Sequence, residues 1–173
     1  AACHAHDHIM TLPDLVAPRP CPQGDVPELR DLPAPAKLNL FLHITGRRGD
    51  GYHLLDSLVV FTEIADEISV ATSDSLSLKI DGPFAEAAGS DNNLVLRAAQ
   101  LLQRETRCTK GAAIQLTKYI PVGAGLGGGS ADAATTLQLL NQLWELKLND
   151  AQLAELGLLL GADVPMCLLG RAV

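Results

Sequence analysis

The sequence predicts an α+β fold, in which helices cover one face of a sheet. Two periodic patterns and the contrast between them support this prediction. Apolar and polar residues alternate along most of residues 35–80, which is the period of a β-strand. Apolar residues recur every three or four positions along residues 133–160, which is the period of an amphipathic helix. Because the strands alternate instead of being apolar throughout, we expect only one face of the sheet to be covered.

Four strands are predicted, each from its own run of residues. The first begins at Pro35 and includes the alternating leucines at 38, 40 and 42, and the second covers residues 58–70. A turn at residues 72–75 leads into a third strand with apolar residues at 76, 78 and 80. The second and third strands are therefore expected to pair as a hairpin. Residues 112–119 form the fourth strand.

Three helices are predicted in the second half of the chain. The first follows Asp91 or Asn92, because either side chain can cap a helix N-terminus. The second follows a glycine-rich segment and carries an apolar stripe that ends at Trp144, which places this tryptophan in the core. The third begins near residue 149 and ends at Gly161.

Composition excludes several classes of protein. The formal net charge of −7 argues against a surface that binds nucleic acid or an anionic membrane. The four cysteines are scattered without the paired spacing of a zinc site or a disulfide framework, which indicates reduced thiols in a cytoplasmic protein. No apolar run is long enough to span a bilayer. An anionic ligand would therefore need a local binding device.

The first 32 residues differ from the rest of the chain. They are rich in proline and contain three closely spaced histidines (His4, His6 and His8), with no convincing periodicity. We interpret residues 1–32 as a disordered leader and residues 33–173 as one domain. Alternating histidines on one face of a strand can also bind a metal, and this is the alternative interpretation.

The most informative segment is PVGAGLGGGSADAA, residues 121–134. It follows a predicted strand and opens a predicted helix. Glycines allow the backbone to approach a ligand closely, and the free N–H groups of a first helical turn attract anions. Ser130 adds a hydroxyl suited to a phosphate or to a phosphate-bound Mg²⁺. The segment therefore predicts a phosphate-binding loop at a helix N-terminus.

Three interpretations of this loop remain open from its residues alone. A Walker A loop is excluded, because no lysine follows the glycines. The dinucleotide fingerprint GxGxxG is present as Gly123, Gly125 and Gly128, and Asp150 stands near the expected acidic position. Against it, the preceding strand contains polar residues, and Asp150 fits a helix start better than a strand end. The third interpretation is a tight strand-to-helix turn without a ligand.

Four segments of the chain resemble motifs of the GHMP kinase family. The glycine-rich segment is similar to the family's ATP phosphate loop. The other three are APAKLNLFLHITGRRGDGYH (34–53), NNLVLRAA (92–99) and LGADVPMCLLG (160–170). The triple glycine before serine is most similar to the branch that acts on a cytidine diphosphate-linked methylerythritol, rather than to homoserine, mevalonate or galactose kinases.

The resemblance implies roles for individual residues. Asp163 would be the catalytic base and Lys37 the catalytic residue that orients it. Asn39, Tyr52 and His53 would bind the small-molecule substrate, with Tyr52 and His53 at the cytosine. The implied ATP-binding set covers the glycine-rich loop and one helix start: Pro121, Val122, Gly123, Ala124, Gly125, Leu126, Gly127, Gly128, Gly129, Ser130, Ala131 and Asn93.

The activity implied by the resemblance is ATP- and Mg²⁺-dependent phosphorylation of the substrate's 2-hydroxyl, in the non-mevalonate route to isoprenoid precursors. An NAD(P)-binding oxidoreductase domain and a nonenzymatic nucleotide-binding module are the alternatives. Family members continue into a second domain, whereas this chain ends at Val173, just after the aspartate motif. We therefore expect the 173-residue chain to lack the C-terminal domain and to show weak or no turnover.

Overall fold

A computed structural model describes residues 30–47, 53–89 and 93–170, and it contains one four-stranded sheet. The strands are β1 (Arg30–Arg47), β2 (His53–Ser73), β3 (Leu76–Asp81) and β4 (Gly111–Thr117). Their order across the sheet is β1-β2-β4-β3, with β2 antiparallel to both β1 and β4, and β3 parallel to β4. The predicted α+β class is confirmed.

The predicted hairpin between β2 and β3 is wrong, because β4 lies between these strands. Parallel neighbours such as β3 and β4 need a crossover connection, and this connection is helical here. A side chain at Gly111 would collide with the backbone of Ser73 and Ser75. Because Gly111 has no side chain, the start of β4 can lie against the bend at residues 72–75, which the sequence had suggested as a hairpin turn.

Five helices occur in the described residues. They are α1 (Ala85–Ala88), α2 (Leu94–Thr106), α3 (Gly128–Leu143), α4 (Asp150–Leu160) and α5 (Val164–Leu169). The three predicted helices correspond to α2, α3 and α4, whereas the short α1 and α5 were not predicted. None of the helices in residues 30–47, 53–89 and 93–170 is long and apolar enough to cross a membrane.

Local capping chemistry sets the starts of α2 and α4. Asn93 caps α2, since its side chain accepts a hydrogen bond from the Val95 N–H at 2.9 Å. The proposed caps Asp91 and Asn92 lie outside the described residues. Asn149 caps α4 in a reciprocal capping box with Gln152, so Asp150 is the first helical residue.

The core lies between one face of the sheet and helices α2 and α3. Inward-facing residues of β4 alternate with outward-facing ones, as a sheet with one covered face requires. Trp144 is fully buried, and its indole N–H donates to the Gly111 carbonyl at 3.1 Å, which confirms its predicted place in the core. The largest fully buried side chains are Trp144, Ile68, Leu102, Leu116, Ile120, Leu137, Leu139, Leu140 and Leu156.

Strand β1 begins at Arg30, three residues before the predicted domain boundary at residue 33. Residues 30–32 pair with β2 and therefore do not belong to a leader. The rest of the leader, with its histidines, lies outside the described residues. The alternating leucines do form a strand, but Leu38 and Leu40 are 40% and 60% exposed instead of covered.

Candidate active site

The glycine-rich loop connects β4 to α3 through a backbone that requires glycine at three positions. Gly123, Gly125 and Gly127 have φ angles of 77°, 74° and 65°, in the left-handed region. The first hydrogen bond of α3 runs from the Ala131 N–H to the Gly127 carbonyl at 2.9 Å. The N–H groups of residues 128–130 therefore have no acceptor within the helix.

This loop forms one wall of a pocket of about 370 Å³. Every residue from Pro121 to Ser130 lines it, together with Ala88, Asn93, Leu94, Lys118 and Asp132. Of the predicted ATP-binding set, Ala131 is the exception, because its methyl group is buried in the core. The helix α3 supplies its positive end to this pocket, and Gly127, which caps it, has no side chain to cover the free N–H groups.

The structure brings Lys37 and Asp163 together. Lys37 Nζ lies 3.1 Å from Asp163 Oδ2, with side-chain exposures of 5% and 46%. The two residues come from β1 and from the N-cap of α5, which are distant in sequence. An exposed carboxylate beside a buried ammonium can accept a proton from a ligand at the surface while its orientation stays fixed.

Lys37 is also attached to the glycine-rich loop. Its backbone N–H donates to the Leu126 carbonyl at 2.8 Å. A Cβ placed on Gly127 would lie 2.6 Å from Lys37 Cγ, so the lysine stem passes directly beneath this glycine. The β1–β2 register shifts between Pro35 and Lys37, and Ala36 and Lys37 are both buried in succession. This irregularity interrupts the alternation of β1 at the site.

Asn93 has a structural role and a place in the pocket wall. Besides capping α2, its Nδ2 donates to the carbonyls of Gly89 at 3.2 Å and Ala88 at 3.4 Å. These three bonds fix the side chain between α1 and α2. Both interpretations of this residue, helix cap and ligand contact, are therefore compatible with its position.

The predicted substrate residues are placed only in part. Asn39 is exposed on β1, and its Oδ1 accepts a hydrogen bond from Ser57 Oγ at 3.4 Å. Tyr52 and the side chain of His53 lie outside the described part of the chain. Among the described residues, no hydrogen bond joins Asn39 to Lys37 or Asp163.

Three buried charged residues lie behind the loop and were not singled out from the sequence. Lys118 Nζ contacts Asp66 Oδ2 and lies 2.6 Å from Asp132 Oδ2. Asp66 Oδ1 accepts hydrogen bonds from the backbone N–H groups of Tyr119 and Ile120 at 2.6 and 2.8 Å. The sequence contains a signal that could have indicated the burial of Asp66, because this residue shares its strand face with the apolar Ile68 and Val70.

In residues 30–47, 53–89 and 93–170 no group of three or more His, Cys, Asp or Glu side chains could hold a metal ion. Ser130 lines the pocket and offers a hydroxyl.

The geometry does not favour the dinucleotide interpretation. Asp150, its acidic candidate, begins α4 after the Asn149 cap and does not follow a strand. The strand that leads into the loop, β4, is antiparallel to its neighbour β2, whereas a Rossmann unit has parallel strands on both sides of its first strand.

Comparison with known proteins agrees with the fold and the loop. Residues 93–171 match the family model for the GHMP kinases N terminal domain. The chain therefore contains the N-terminal fold of a GHMP kinase. A solved structure of 4-(cytidine 5'-diphospho)-2C-methyl-D-erythritol kinase is 42% identical and superposes with a TM-score of 0.67, over 83% of this chain and 50% of that one.

Curated relatives are named for the same enzyme activity as this solved structure, in a synonymous form. A 4-diphosphocytidyl-2-C-methyl-D-erythritol kinase of Ruegeria pomeroyi is 62% identical over 136 residues, which are 78% of this chain and 46% of that protein. The kinase of the same name from Paramagnetospirillum magneticum is 53% identical over 79% of this chain and 48% of that protein. The chain thus spans about half the length of the curated relatives it matches.

Proposed function

We propose that this chain is the nucleotide-binding part of a small-molecule kinase that phosphorylates the 2-hydroxyl of 4-diphosphocytidyl-2-C-methyl-D-erythritol with ATP. The observation that carries the proposal is the ion pair of 3.1 Å between Lys37 and Asp163, attached to the loop that offers free N–H groups. Relatives that are 62% and 53% identical bear the name of this activity.

In the proposed reaction Asp163 accepts the proton of the substrate hydroxyl. The hydroxyl oxygen forms a bond to the γ-phosphorus of ATP, the bond from that phosphorus to the bridging oxygen breaks, and ADP leaves with the electron pair. The Lys37 ammonium holds the Asp163 carboxylate in place and offsets negative charge at the reacting centre. Because phosphoryl transfer passes through a loose transition state, such positioning and charge supply most of the catalysis.

The pocket fits the phosphates of ATP for two physical reasons. The N–H groups of residues 128–130 and the positive end of the 16-residue helix α3 attract anions. The glycines at 123 and 125 leave open space where side chains would otherwise stand. The Ser130 hydroxyl fits a phosphate-bound Mg²⁺, which when bound would neutralise charge on the phosphates.

The remaining parts of the proposal concern the substrate end and the location of the protein. Asn39, Tyr52 and His53 would bind the cytidine-linked substrate, in the roles implied by the sequence motif. A cytoplasmic location is also part of the proposal, because the spacing of the four cysteines in the sequence is not that of a disulfide framework and is typical of a reducing compartment.

A coupled ADP-release assay with the named substrate and MgATP tests the proposal. The protein should be expressed from the complete reading frame, because the relatives are about twice as long as this chain. We expect substrate-dependent ADP release from the wild type and a loss of at least about 100-fold in kcat for Asp163→Asn. Asp74→Asn, an exposed carboxylate at the bend between β2 and β3, is the matched control.

The alternatives predict different outcomes in the same experiment. A nonenzymatic binding module would bind ATP but release no ADP with either protein. An oxidoreductase domain would bind NAD(P) and lose that binding when Asp150 is changed. Equal rates for the wild type and Asp163→Asn would contradict the assigned base.

A further inference from the structure

The short helix α5 carries the proposed base at its start. Asp163 directly precedes α5, and its backbone carbonyl accepts a hydrogen bond from the Cys167 N–H at 3.2 Å. Within the described part of the chain, its carboxylate makes no capping bond to the backbone of α5 and is instead paired with Lys37 at 3.1 Å. The position of this carboxylate therefore depends on where α5 is held against the rest of the domain.

Helices α3 and α4 hold α5 near its two ends. Gln138 of α3 donates from Nε2 to the Leu168 carbonyl at 3.2 Å, close to the C-terminal end of α5. At the other end, Val164 is fully buried and packs against Gly157 of α4. Because Val164 follows Asp163 directly in the chain, the contact with α4 lies closest to the carboxylate.

The contact at Gly157 leaves no room for a side chain. A Cβ placed there would lie 2.9 Å from Cγ1 of Val164 and 3.5 Å from its Cβ. Carbon atoms in ordinary contact are about 3.5–4.0 Å apart, so α5 lies roughly 0.6 Å too close to accept a methyl group. Val164 cannot easily rotate away, because it is β-branched and fully buried. Cδ1 of Leu168, at 3.2 Å, is the end of a more flexible side chain.

Glycine at residue 157 is unfavourable for α4 itself. The helix covers Asp150–Leu160, so Gly157 lies in its interior, and its φ angle is not in the left-handed region. An interior glycine destabilises a helix by about 0.5–1 kcal/mol relative to alanine. Neither a turn nor the local backbone requires glycine at this position. The requirement comes from the close approach of α5.

We infer that Gly157 is a positioning residue for the proposed phosphoryl transfer. Its missing side chain lets α4 hold Val164, and with it Asp163, at the observed distance from Lys37. The inference rests on the function proposed above, in which Asp163 is the base. Among the described residues, none from α4 or α5 lines the phosphate pocket. A change at Gly157 should therefore lower kcat and leave nucleotide binding unchanged.

The variant Gly157→Ala, in protein from the complete reading frame, tests this inference through the ADP-release assay and calorimetric binding of a nonhydrolysable MgATP analogue. We expect kcat to fall at least about tenfold, since a misplacement of about 1 Å lowers rates about 100-fold, while the Kd of the analogue stays the same. A crystal structure of the variant should show Lys37 Nζ and Asp163 Oδ2 beyond hydrogen-bonding distance.

Two further variants isolate the contact with Val164. Gly161→Ala is the matched control, because its Cβ would meet Cγ2 of the same valine at an ordinary 3.7 Å, from an extended backbone with a φ of 172°. We expect it to keep the wild-type kcat. Val164→Ala, introduced into Gly157→Ala, removes the crowded methyl groups and should recover most of the lost kcat.

A folded Gly157→Ala with the wild-type kcat overturns the inference and leaves the proposed function standing. A loss that Val164→Ala does not recover, or an equal loss in Gly161→Ala, also overturns it, because the effect would not come from this contact. Loss of analogue binding, or failure of Gly157→Ala to fold, would show that the glycine maintains the domain and does not position the base. A wild type that releases no ADP overturns the proposed function and the inference together.

Discussion

Replacing Gly127 with alanine tests the contact between the glycine-rich loop and Lys37. The new Cβ would lie 2.6 Å from Lys37 Cγ and 2.8 Å from Cε, closer than real Cβ atoms approach other carbons. The lysine stem cannot easily move aside, because its side chain is 5% exposed and its Nζ is paired with Asp163. The substitution should therefore displace Lys37 and break or lengthen that ion pair.

A matched variant separates this contact from backbone strain. Gly125 has a φ of 74°, close to the 65° of Gly127, but a Cβ there would meet nothing within 4 Å. Both alanine variants incur a left-handed backbone cost of about 1–2 kcal/mol. Only Gly127→Ala adds the overpacking cost, which is about 1–3 kcal/mol for a crowded site. The difference between the two variants isolates the contact with Lys37.

Urea unfolding and the ADP-release assay measure the two consequences. We expect Gly127→Ala to be less stable than Gly125→Ala by about 1–3 kcal/mol. Its kcat should fall about 100-fold below that of Gly125→Ala, because a displacement of about 1 Å in a positioning group has an effect of that size. Equal stability and equal kcat in the two variants would show that Lys37 does not depend on the absence of a side chain at Gly127.

Three other predictions follow from the pocket wall and its surroundings. Burial raises the pKa of Asp132 from 3.8 to about 7, so the stability conferred by its proton is full below about pH 4 and lost as the pH rises towards 7. Urea unfolding should show the wild type losing up to roughly 3 kcal/mol relative to Asp132→Asn between pH 5 and 8, and parallel curves would contradict this. Asn93→Ala should lower the free energy of unfolding by about 1 kcal/mol, because it removes the cap of α2, whereas Asn93→Ser should keep most of this stability. Thermal unfolding of the two variants measures the difference, and equal losses of stability would refute the capping role. Asp150→Asn should leave ATP affinity within about twofold, since this residue is exposed on α4; a larger change in calorimetric affinity would reopen the dinucleotide interpretation.

The sequence predicted those parts of the molecule whose signals are local. The glycines of residues 123–129 indicate a loop at a helix start because their backbone requirement is a property of single residues. The stripe that ends at Trp144 predicted the burial of this tryptophan, whereas α3 itself is buried on more than the predicted face, since residues 131–137 are all buried. Cap chemistry located the start of α4 within one residue.

Long-range pairing was not predictable in the same way. Nothing local to residues 72–75 indicates that β4 will insert between β2 and β3, because its partners lie some 40 residues apart in sequence. The contacts among Asp66, Lys118 and Asp132 were not predictable from local sequence either. Asp66 and Asp132 come close to each other only because Lys118, which directly follows β4, lies between them. The pairing of Lys37 with Asp163 was predicted from the resemblance to a known family and from no periodic pattern.

Trp144, whose indole N–H donates a hydrogen bond to the Gly111 carbonyl, gives the protein an internal fluorescent reporter. Trp144 is the single tryptophan of the chain, so its emission comes from one defined environment. It lies at the opposite end of α3 from the glycine-rich loop, roughly 24 Å along a helix of this length. A ligand in the pocket cannot touch the indole across that distance. A change in its emission on nucleotide addition would therefore signal movement of the whole helix against the sheet.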